Sequence, residues 1–457
     1  MSRKQIAPRK MALATLVQPN GNHLAAWLAP EAQPDAGTDI AWWQRMAQIA
    51  EAGKFDLFFI ADTPTVRTDN MRIWSHAPTF MNQLEPLTML SAVAGATRRI
   101  GLGATASTSF NEPYNVARYF ASLDHISGGR AAWNVVTSAN DYAAKNYGHA
   151  KLAPHAQRYE RAHEFVEVVK KLWDCWEPDA FIYDREQKLT FDPAKFHLVA
   201  HEGKHFRVEG GLNIAPAPQG HPVIIQAGAS DTGRELAAET AEVVFGTSAT
   251  IGGAVEFYKD LKGRMAKYGR HPDELKILGG ITVVVGDTQE EAEARNREYM
   301  ELLHPAVGVM RVCQDLETDL SDLPLDEPVP EDRIPATSNH HQAYFNEIVG
   351  LIREGLTLRQ VAMRYNRSKA TFCGSPAQVA DVMQEWMEAG ACDGFMVTFP
   401  VMPTCLQDFV DKVVPELQRR GMFREDYSGP TLRDHLGLSR PVNQHLAARP
   451  AKAQAAE

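Results

Sequence analysis

GGRAAWNVVTSAN, residues 128–140, is the stretch that decides the fold. A Gly-Gly turn leads into a short apolar run, and the run stops abruptly in small polar side chains. This pattern is typical of a buried parallel strand whose carboxyl end opens into a ligand site. A core strand followed by a capping loop is an equal alternative from this stretch alone. The uncharged side chains able to bond a ligand there are Asn134, Thr137, Ser138 and Asn140.

The chain on either side alternates between apolar strands and amphipathic helices. Including the opening stretch, eight strands are predicted, the others at 11–17, 55–62, 100–104, from 222, 243–245, 276–286 and 394–399. Helices are predicted at 40–52, 85–97, 112–126, 155–173, 231–240, 253–268, 288–302, 376–389 and 406–420. This alternation predicts an α/β fold, a (β/α)8 TIM barrel. A doubly wound open sheet is the alternative, but no Gly-x-Gly-x-x-Gly turn follows the first strand.

A single barrel domain is predicted over residues 10–440. Two segments break the alternation and are predicted to be insertions, at about 174–220 and 303–370, the second rich in Pro and Asp with little periodicity. Residues 63–84 form an irregular loop, and a loop of this length in a compact domain is usually functional. Residues 441–457 are of low complexity and are predicted to be a flexible tail.

The composition is that of an ordinary soluble globular protein. Of 457 residues, 44% are hydrophobic and 23% charged, and the net charge of −10 disfavours nucleic acid and anionic membranes as partners. No apolar run approaches the ~20 residues that span a bilayer, and the N-terminus lacks a secretory pattern. The five cysteines are scattered without a Cys-x-x-Cys, which favours reduced thiols and a cytoplasmic location.

Several catalytic classes lack their motifs. There is no His-Glu-x-x-His for a metal, no Gly-x-Ser-x-Gly for acyl transfer and no Gly-x-x-x-x-Gly-Lys-Ser/Thr for nucleotide hydrolysis. No metal site is predicted. The sequence instead favours a cofactor that brings its own reactivity.

Polar residues recur where the predicted strands end. One such ending means little, but strands of one barrel share one rim, so five of them predict a lined pocket. These residues are Asp62, Thr105 with Ser107, Asn134 with Thr137, Gln226 with Ser230, and Thr398.

Two further patterns predict what the pocket holds. Residues 228–233 join a strand to a helix with small residues, so free backbone N–H groups and the Ser230 hydroxyl could cradle a phosphate. The alternative for Ser230 is an ordinary helix cap. His155 and Tyr159 are four residues apart at the start of a helix, and there they could stack on or bond a flat ligand. The alternative is a partly exposed helix start.

Many ordered segments resemble the bacterial-luciferase-like family of flavin-dependent monooxygenases. The subgroup resembled is that of nitrilotriacetate, EDTA and dibenzothiophene-sulfone monooxygenases. The match runs from about residue 10 to 445. The segments that carry it are GKFD at 53–56, AD at 61–62, NEPY at 111–114, LDHISGGR at 123–130, WNVVTS at 133–138, RY at 158–159, EF at 164–165, QAGAS at 226–230, VPELQRRG at 414–421 and TLRDHLGL at 431–438.

The resemblance implies a luciferase-like barrel that binds reduced FMN supplied by a separate NAD(P)H:flavin reductase. With O2 as co-substrate, it implies oxidation of a small organic molecule through a flavin C4a-(hydro)peroxide. By position, the residues implied to line the flavin ring are Asp62, Thr105, Ser107 and Asn134, with His155 and Tyr159 near the flavin as catalytic candidates and Gly228 and Ser230 at the phosphate.

The substrate is the least determined part of the resemblance. Oxidation of a carbon–nitrogen bond in an aminopolycarboxylate is the first expectation, and oxidation of a carbon–sulfur bond is the alternative. An acidic substrate would need cationic partners, for which Arg67, Arg72, His76 and Arg118 are candidates. Residues 303–345 or the 63–84 loop are candidate lids. A deazaflavin-dependent oxidoreductase and a non-catalytic flavin-binding protein are the other classes considered, and a homodimer or homotetramer is expected.

Overall fold

A computed structural model describes residues 10–68, 70–77, 80–138, 141–336, 342–365 and 371–447. Eight parallel strands form a closed barrel, in the spatial order β6-β5-β4-β3-β2-β1-β8-β7, and pairing of β6 with β7 closes it. This closure confirms the predicted (β/α)8 barrel and excludes the open sheet. The strands are β1 Ala12–Leu16, β2 Leu57–Ile60, β3 Gly101–Ser107, β4 Ala131–Val136, β5 Val223–Gln226, β6 Val243–Gly246, β7 Lys276–Val285 and β8 Gly394–Thr398.

Helices cover the outside of the barrel, and polar caps fix where several of them begin. Asp39 accepts a hydrogen bond from the Ala41 N–H, and Glu85 accepts bonds from the first turn of its own helix. The covering helices are Ile40–Ala52, Pro86–Ala96, Pro113–Ser127, His155–Trp173, Asp231–Thr240, Ile251–Arg264, Gln289–Glu301, Pro376–Glu388, and Thr404–Asp408 continued through a π-helical turn at Phe409–Val413 into Val414–Arg419.

Side chains of each strand alternate between the barrel interior and the helical layer. In β4, Ala132 belongs to the interior cluster, while Trp133 packs outward against Phe120, Phe165 and Trp173. A short C-terminal helix, Leu432–Leu436, lies against the amino end of the barrel, where a Cβ on Gly101 would come within 2.6 Å of Leu432. The opposite, carboxyl end is therefore the end left available for a ligand site.

The two insertions differ in their structure. The first contains the hairpins Phe181–Asp184 with Leu189–Phe191 and Val199–Glu202 with Arg207–Gly210. The second contains helices Pro305–Leu316, Gln342–Arg353 and Leu358–Tyr365, which share an apolar cluster of their own. The second insertion shows little periodicity in its sequence although it contains these helices, because they are short and Pro- and Asp-rich loops interrupt their apolar spacing.

The remaining elements are short. A strand at Thr371–Gly374 pairs with the second half of β7. Short helices are Met71–Trp74, Asp141–Asn146 and Gln444–Ala447, and single 3-10 turns are Ala26–Leu28, Ala36–Thr38, Pro193–Lys195, Met265–Tyr268, Pro272–Glu274 and Glu331–Arg333. Within the described ranges, no helix is long and apolar enough to cross a bilayer.

The start of the predicted tail contacts the first insertion. The Asn443 side chain donates hydrogen bonds to the carbonyls of Asp174 and Trp176, and the His445 ring stacks on His197. Residues 448–457 lie outside the described part of the chain. The mobility of the tail and the 10–440 domain boundary stay predictions.

Candidate functional site

A cavity of about 670 Å³ lies at the carboxyl ends of β2 to β5. Its wall contains four of the five predicted strand ends, represented by Asp62, Thr105 with Ser107, Thr137, and Gln226. The fifth, Thr398, is not part of this wall. Its hydroxyl lies 2.8 Å from that of Thr282, its partner across the β7–β8 pair. The cavity therefore occupies one side of the rim.

Thr105 lines the cavity, and Asn134, which does not itself line it, is buried directly beside Thr105. They face each other across β3 and β4, and the Asn134 Nδ2 donates a 3.0 Å hydrogen bond to the Thr105 hydroxyl. That hydroxyl donates in turn to the Ile60 carbonyl. The Asn134 Oδ1 atom is buried and accepts no hydrogen bond from the described residues. Because buried acceptors are rarely left unpaired, this oxygen fits a ligand N–H.

The loop after β4 is held to the end of β3 by hydroxyl groups. The Ser107 and Ser138 hydroxyls are 2.7 Å apart, and the Ser109 hydroxyl donates to the Thr137 carbonyl. Ser138 has a φ of 58°, a left-handed backbone conformation that residues other than glycine rarely adopt. These bonds fix the polar end of the opening stretch in the cavity wall. Asn140 lies outside the described residues.

Asp62 is the acidic group of the cavity. Burial and the negative charge of Glu85 raise the pKa of Asp62, and burial together with Asp62 raises the pKa of Tyr147. Among the described residues, Asp62 and Glu85 are the only charged side chains in the wall. The cavity therefore surrounds its contents with hydroxyl, amide and aromatic groups and with the carboxyl groups of Asp62 and Glu85.

Two aromatic rings that the sequence did not assign to the site stand in its wall. Phe110 and Tyr147 are stacked with ring centroids 4.5 Å apart and planes 5° from parallel. Both follow elements of the rim, Phe110 after β3 and Tyr147 after the helix Asp141–Asn146. The position of Phe110 shortly after β3 could have indicated that it lines the site, whereas no sequence pattern singles out Tyr147.

The turn between β5 and its helix approaches itself closely. A Cβ on Gly228 would lie 3.0 Å from the Gly233 Cα and 3.4 Å from the Tyr159 hydroxyl, so only glycine fits without displacement. The Ser230 hydroxyl accepts a hydrogen bond from the Gly233 N–H and caps the helix Asp231–Thr240. The cap alternative for Ser230 is thus realised, and the hydroxyl can still donate its own proton to an anion.

Of the predicted pair at the start of the 155–173 helix, only Tyr159 lines the cavity. His155 is exposed and its ring packs beside that of Tyr159, with centroids 4.6 Å apart. The Tyr159 hydroxyl also lies near Gly233, so this side chain connects the cavity to the β5 turn. His155 thus adjoins the site from its solvent side.

The two candidate lids meet each other above the barrel. His76 of the 63–84 loop stacks on His304 of the second insertion, with centroids 3.8 Å apart. None of the four candidate cations lines the cavity. Arg67 lies beside the wall. Its guanidinium lies over the Trp74 ring and 5.9 Å from the ring of Tyr142, the residue directly before the wall residue Ala143. A lid function stays a prediction.

The residues present fit FMN. The glycine turn, the cap hydroxyl and Tyr159 can hold a phosphate, since helix N-termini with free N–H groups bind anions. The unpaired Asn134 oxygen can accept a hydrogen bond from a flavin N–H. No group of three or more His, Cys, Asp or Glu side chains able to hold a metal occurs in the described ranges.

Comparison with known proteins agrees with this geometry. Nitrilotriacetate monooxygenase component A of Aminobacter aminovorans is 44% identical over 447 residues, which cover 96% of this chain and 98% of the relative. N-acetyl-S-(2-succino)cysteine monooxygenase of Bacillus subtilis (strain 168) is 43% identical over 442 residues, with the same coverage. The solved structure of a riboflavin lyase with modified FMN superposes with a TM-score of 0.79 at 31% identity, covering 95% of this chain and 97% of that one.

A family model described as luciferase-like monooxygenase matches residues 23–393. With the relatives above, this match confirms the predicted resemblance, the luciferase-like barrel and the assignment as an enzyme. Two of these relatives are named monooxygenases, and the riboflavin lyase structure contains a modified FMN. The chain belongs to the luciferase-like monooxygenase family.

Proposed function

We propose that this protein is the oxygenase component of a two-component system. It binds reduced FMN supplied by a separate NAD(P)H:flavin reductase and uses O2 to oxidise a small organic substrate. The observation that carries the proposal is one cavity whose wall contains Gly228 of the tight β5 turn and Thr105, with the unpaired buried Asn134 oxygen on the residue bonded to Thr105. When bound, reduced FMN supplies the electrons that activate O2.

The chain's own residues would orient the cofactor and exclude water. The backbone of Gly228, the Ser230 hydroxyl and the Tyr159 hydroxyl would hold the phosphate. The flavin ring would lie against Asn134 and the polar ends of β2 and β3. Asp62 follows β2, and Thr105 and Ser107 belong to β3. Exclusion of water protects the reacting oxygen from release as hydrogen peroxide.

A partner protein is supported by the name of a relative. Nitrilotriacetate monooxygenase is named there as component A, which implies at least one separate component. A flavin reductase is the partner we propose, because no Gly-x-Gly-x-x-Gly turn, which would bind a dinucleotide such as NAD(P)H, follows the first strand. A homodimer or homotetramer is proposed for the oxygenase itself.

For the substrate we propose an aminopolycarboxylate, with carbon–nitrogen bond oxidation. Two relatives above 40% identity are named for carboxylate-bearing compounds, one an amine and one a cysteine thioether. As the partner of a substrate carboxylate we propose Arg67, whose guanidinium lies 5.9 Å from the Tyr142 ring, beside the wall residue Ala143. Oxidation of an organosulfur compound is the second candidate, favoured by the uncharged and aromatic character of most of the wall.

Anaerobic titration of the apoprotein with reduced FMN, followed by O2, tests the proposal. Tight binding of reduced FMN and substrate-dependent O2 uptake in the presence of a flavin reductase are expected. A panel of aminopolycarboxylates, thioethers and aryl sulfones then separates the two substrate classes. Binding of a reduced deazaflavin in preference to FMN, or binding of FMN without any O2-dependent product, would each replace the proposal with one of the other classes.

Asn134→Leu will separate binding of the cofactor from folding. The substitution conserves shape and removes the unpaired acceptor, so the stability of the apoprotein should change by no more than about 1 kcal/mol. Affinity for reduced FMN should fall about tenfold, as expected for loss of one buried hydrogen bond. Anaerobic fluorescence titration and urea unfolding measure the two quantities.

Thr15→Val is the matched control for Asn134→Leu. The Thr15 hydroxyl is likewise buried and unpaired among described residues, but Thr15 lies on the outward face of β1, between Leu13 and Val17. The Thr15→Val substitution should therefore leave the affinity for reduced FMN unchanged. Equal losses in the two variants would contradict a contact between Asn134 and the flavin.

His155→Ala tests the proposed catalytic role of this side chain. Because His155 is exposed, the fold should persist. If His155 moves or steers a proton during oxygenation, the ratio of product to hydrogen peroxide should fall at least about tenfold. His271→Ala, which removes an exposed histidine from a distant turn, should keep the native ratio. A native ratio in His155→Ala as well would exclude the role.

A further inference from the structure

A second cavity, of about 310 Å³, lies at the amino end of the barrel, away from the flavin site. Its wall includes Ile224 at the start of β5 and Glu242 directly before β6. The C-terminal segment 438–442 closes one side. In TIM barrels this end is not the catalytic end, so the cavity needs its own explanation.

Positive charge dominates this cavity. Four cationic side chains line it, against two carboxylates, so Lys, Arg and Glu side chains leave an excess of two positive charges. The chain as a whole carries a net charge of −10. The cations are Lys170, Arg270, Arg433 and Arg440, and the carboxylates are Glu242 and Glu274.

Two of the arginines are already saturated by the protein. Arg433 is 3% exposed, binds both oxygens of Glu242 at 2.6 and 2.9 Å and donates to the His221 carbonyl. Arg270 donates to carbonyls at the end of the helix Asp231–Thr240, including that of Ala241 at 2.7 Å. The charge of Arg433 is paired with Glu242 and that of Arg270 with Glu274, so these two arginines offer few donors to a ligand and the excess positive charge lies on Lys170 and Arg440.

Lys170 supplies the first set of hydrogen-bond donors for a ligand. It lines the cavity, and its ammonium makes no hydrogen bond or ion pair with any residue the structure describes. Burial lowers the pKa of Lys170, with Arg270 adding to the effect and the charge of Glu242 opposing it. Lys170 is half-buried, so its ammonium keeps access to water and can donate to an anion bound in the cavity.

Arg440 supplies the second set of donors. Its side chain is exposed and lies across Gly220, whose Cβ would be 3.4 Å from the Arg440 Nε. The described residues accept no hydrogen bond from its guanidinium. Arg440 therefore stands at the mouth of the cavity, with Lys170 inside it.

We propose that this cavity binds a small oxyanion, of the phosphate or sulfate type, between Lys170 and Arg440. The anion would neutralise the excess charge and tie the C-terminal segment 438–442 to the base of the barrel. A volume of 310 Å³ accommodates one such ion with several waters. The site is independent of the flavin and of the reaction.

Titration of the FMN-loaded enzyme with inorganic phosphate at constant ionic strength tests this site. Calorimetry should detect one saturable phosphate site per chain, and the melting temperature should rise with phosphate but not with matched chloride. Lys170→Met should weaken phosphate binding at least about tenfold, as loss of a charge-assisted partner predicts. Arg440→Met, a change at an exposed side chain that leaves folding intact, should weaken it as well.

Lys171→Met and Ser230→Ala are the controls. Lys171 is the next residue of the same helix but pairs with Glu167, so phosphate binding should persist in Lys171→Met. Ser230→Ala alters the β5 turn and should also leave this site intact. Unchanged binding in Lys170→Met, or loss of binding in Ser230→Ala alone, would overturn the proposal, the latter by assigning the phosphate to the flavin cradle.

Discussion

Gly228→Val will weaken binding of reduced FMN by about 10- to 100-fold. A Cβ at this position already lies 3.0 Å from the Gly233 Cα, and the two added methyl groups would enter the space beside the Tyr159 hydroxyl. Crowding of this kind costs about 1–3 kcal/mol, and here it falls on the turn proposed to hold the phosphate. Anaerobic titration with reduced FMN measures the loss.

A graded series separates steric exclusion from general damage. Gly228→Ala should show an intermediate loss, because its Cβ meets the same contacts without reaching beyond them. Gly252→Val is the matched control, in the helix after the next strand, where a Cβ meets nothing within 4 Å. Native affinity in Gly228→Val would remove the β5 turn from the cofactor site.

Trp133→Ala will destabilise the folded protein by about 3–5 kcal/mol. The Trp133 ring is completely buried, packs edge-on against Trp173 and donates from its indole nitrogen to the Ala106 carbonyl at 3.0 Å. Removal leaves a cavity between β4 and the helical layer that the surrounding rings cannot fill. Urea unfolding monitored by circular dichroism gives the change in the free energy of unfolding.

The controls for Trp133→Ala test whether packing is the cause. Trp133→Phe keeps most of the ring and loses the hydrogen bond, so it should cost clearly less. Tyr183→Ala removes an aromatic ring that is 68% exposed in the first insertion and should change stability by less than about 0.5 kcal/mol. A loss below 1 kcal/mol for Trp133→Ala would mean that β4 does not depend on this contact.

The barrel was predictable because its signals are local. Apolar runs of strand length, caps such as Asp39 and helical spacing predicted all eight strands and the helices that cover them. The helices of the second insertion were not predicted, because they are short and are stabilised by packing on one another, a contact that sequence spacing does not reveal.

The site was predictable in part. Asp62, Thr105, Ser107, Tyr159 and Gly228 lie in one wall, as their positions at strand and helix ends predicted. Thr398 does not, because β7 and β8 end on another side of the rim. Their roles toward the flavin stay predictions.

The sequence by itself determined the period of the strands and helices, and hence which side chains face inward and which strand ends are polar. Only the tertiary structure decided which of those ends share a wall, that Phe110 stacks on Tyr147, and that Lys170 and Arg440 line one cavity. The physical reason is distance along the chain. Alternation fixes the direction of a side chain from its neighbours, whereas contacts between distant residues arise only when the barrel closes.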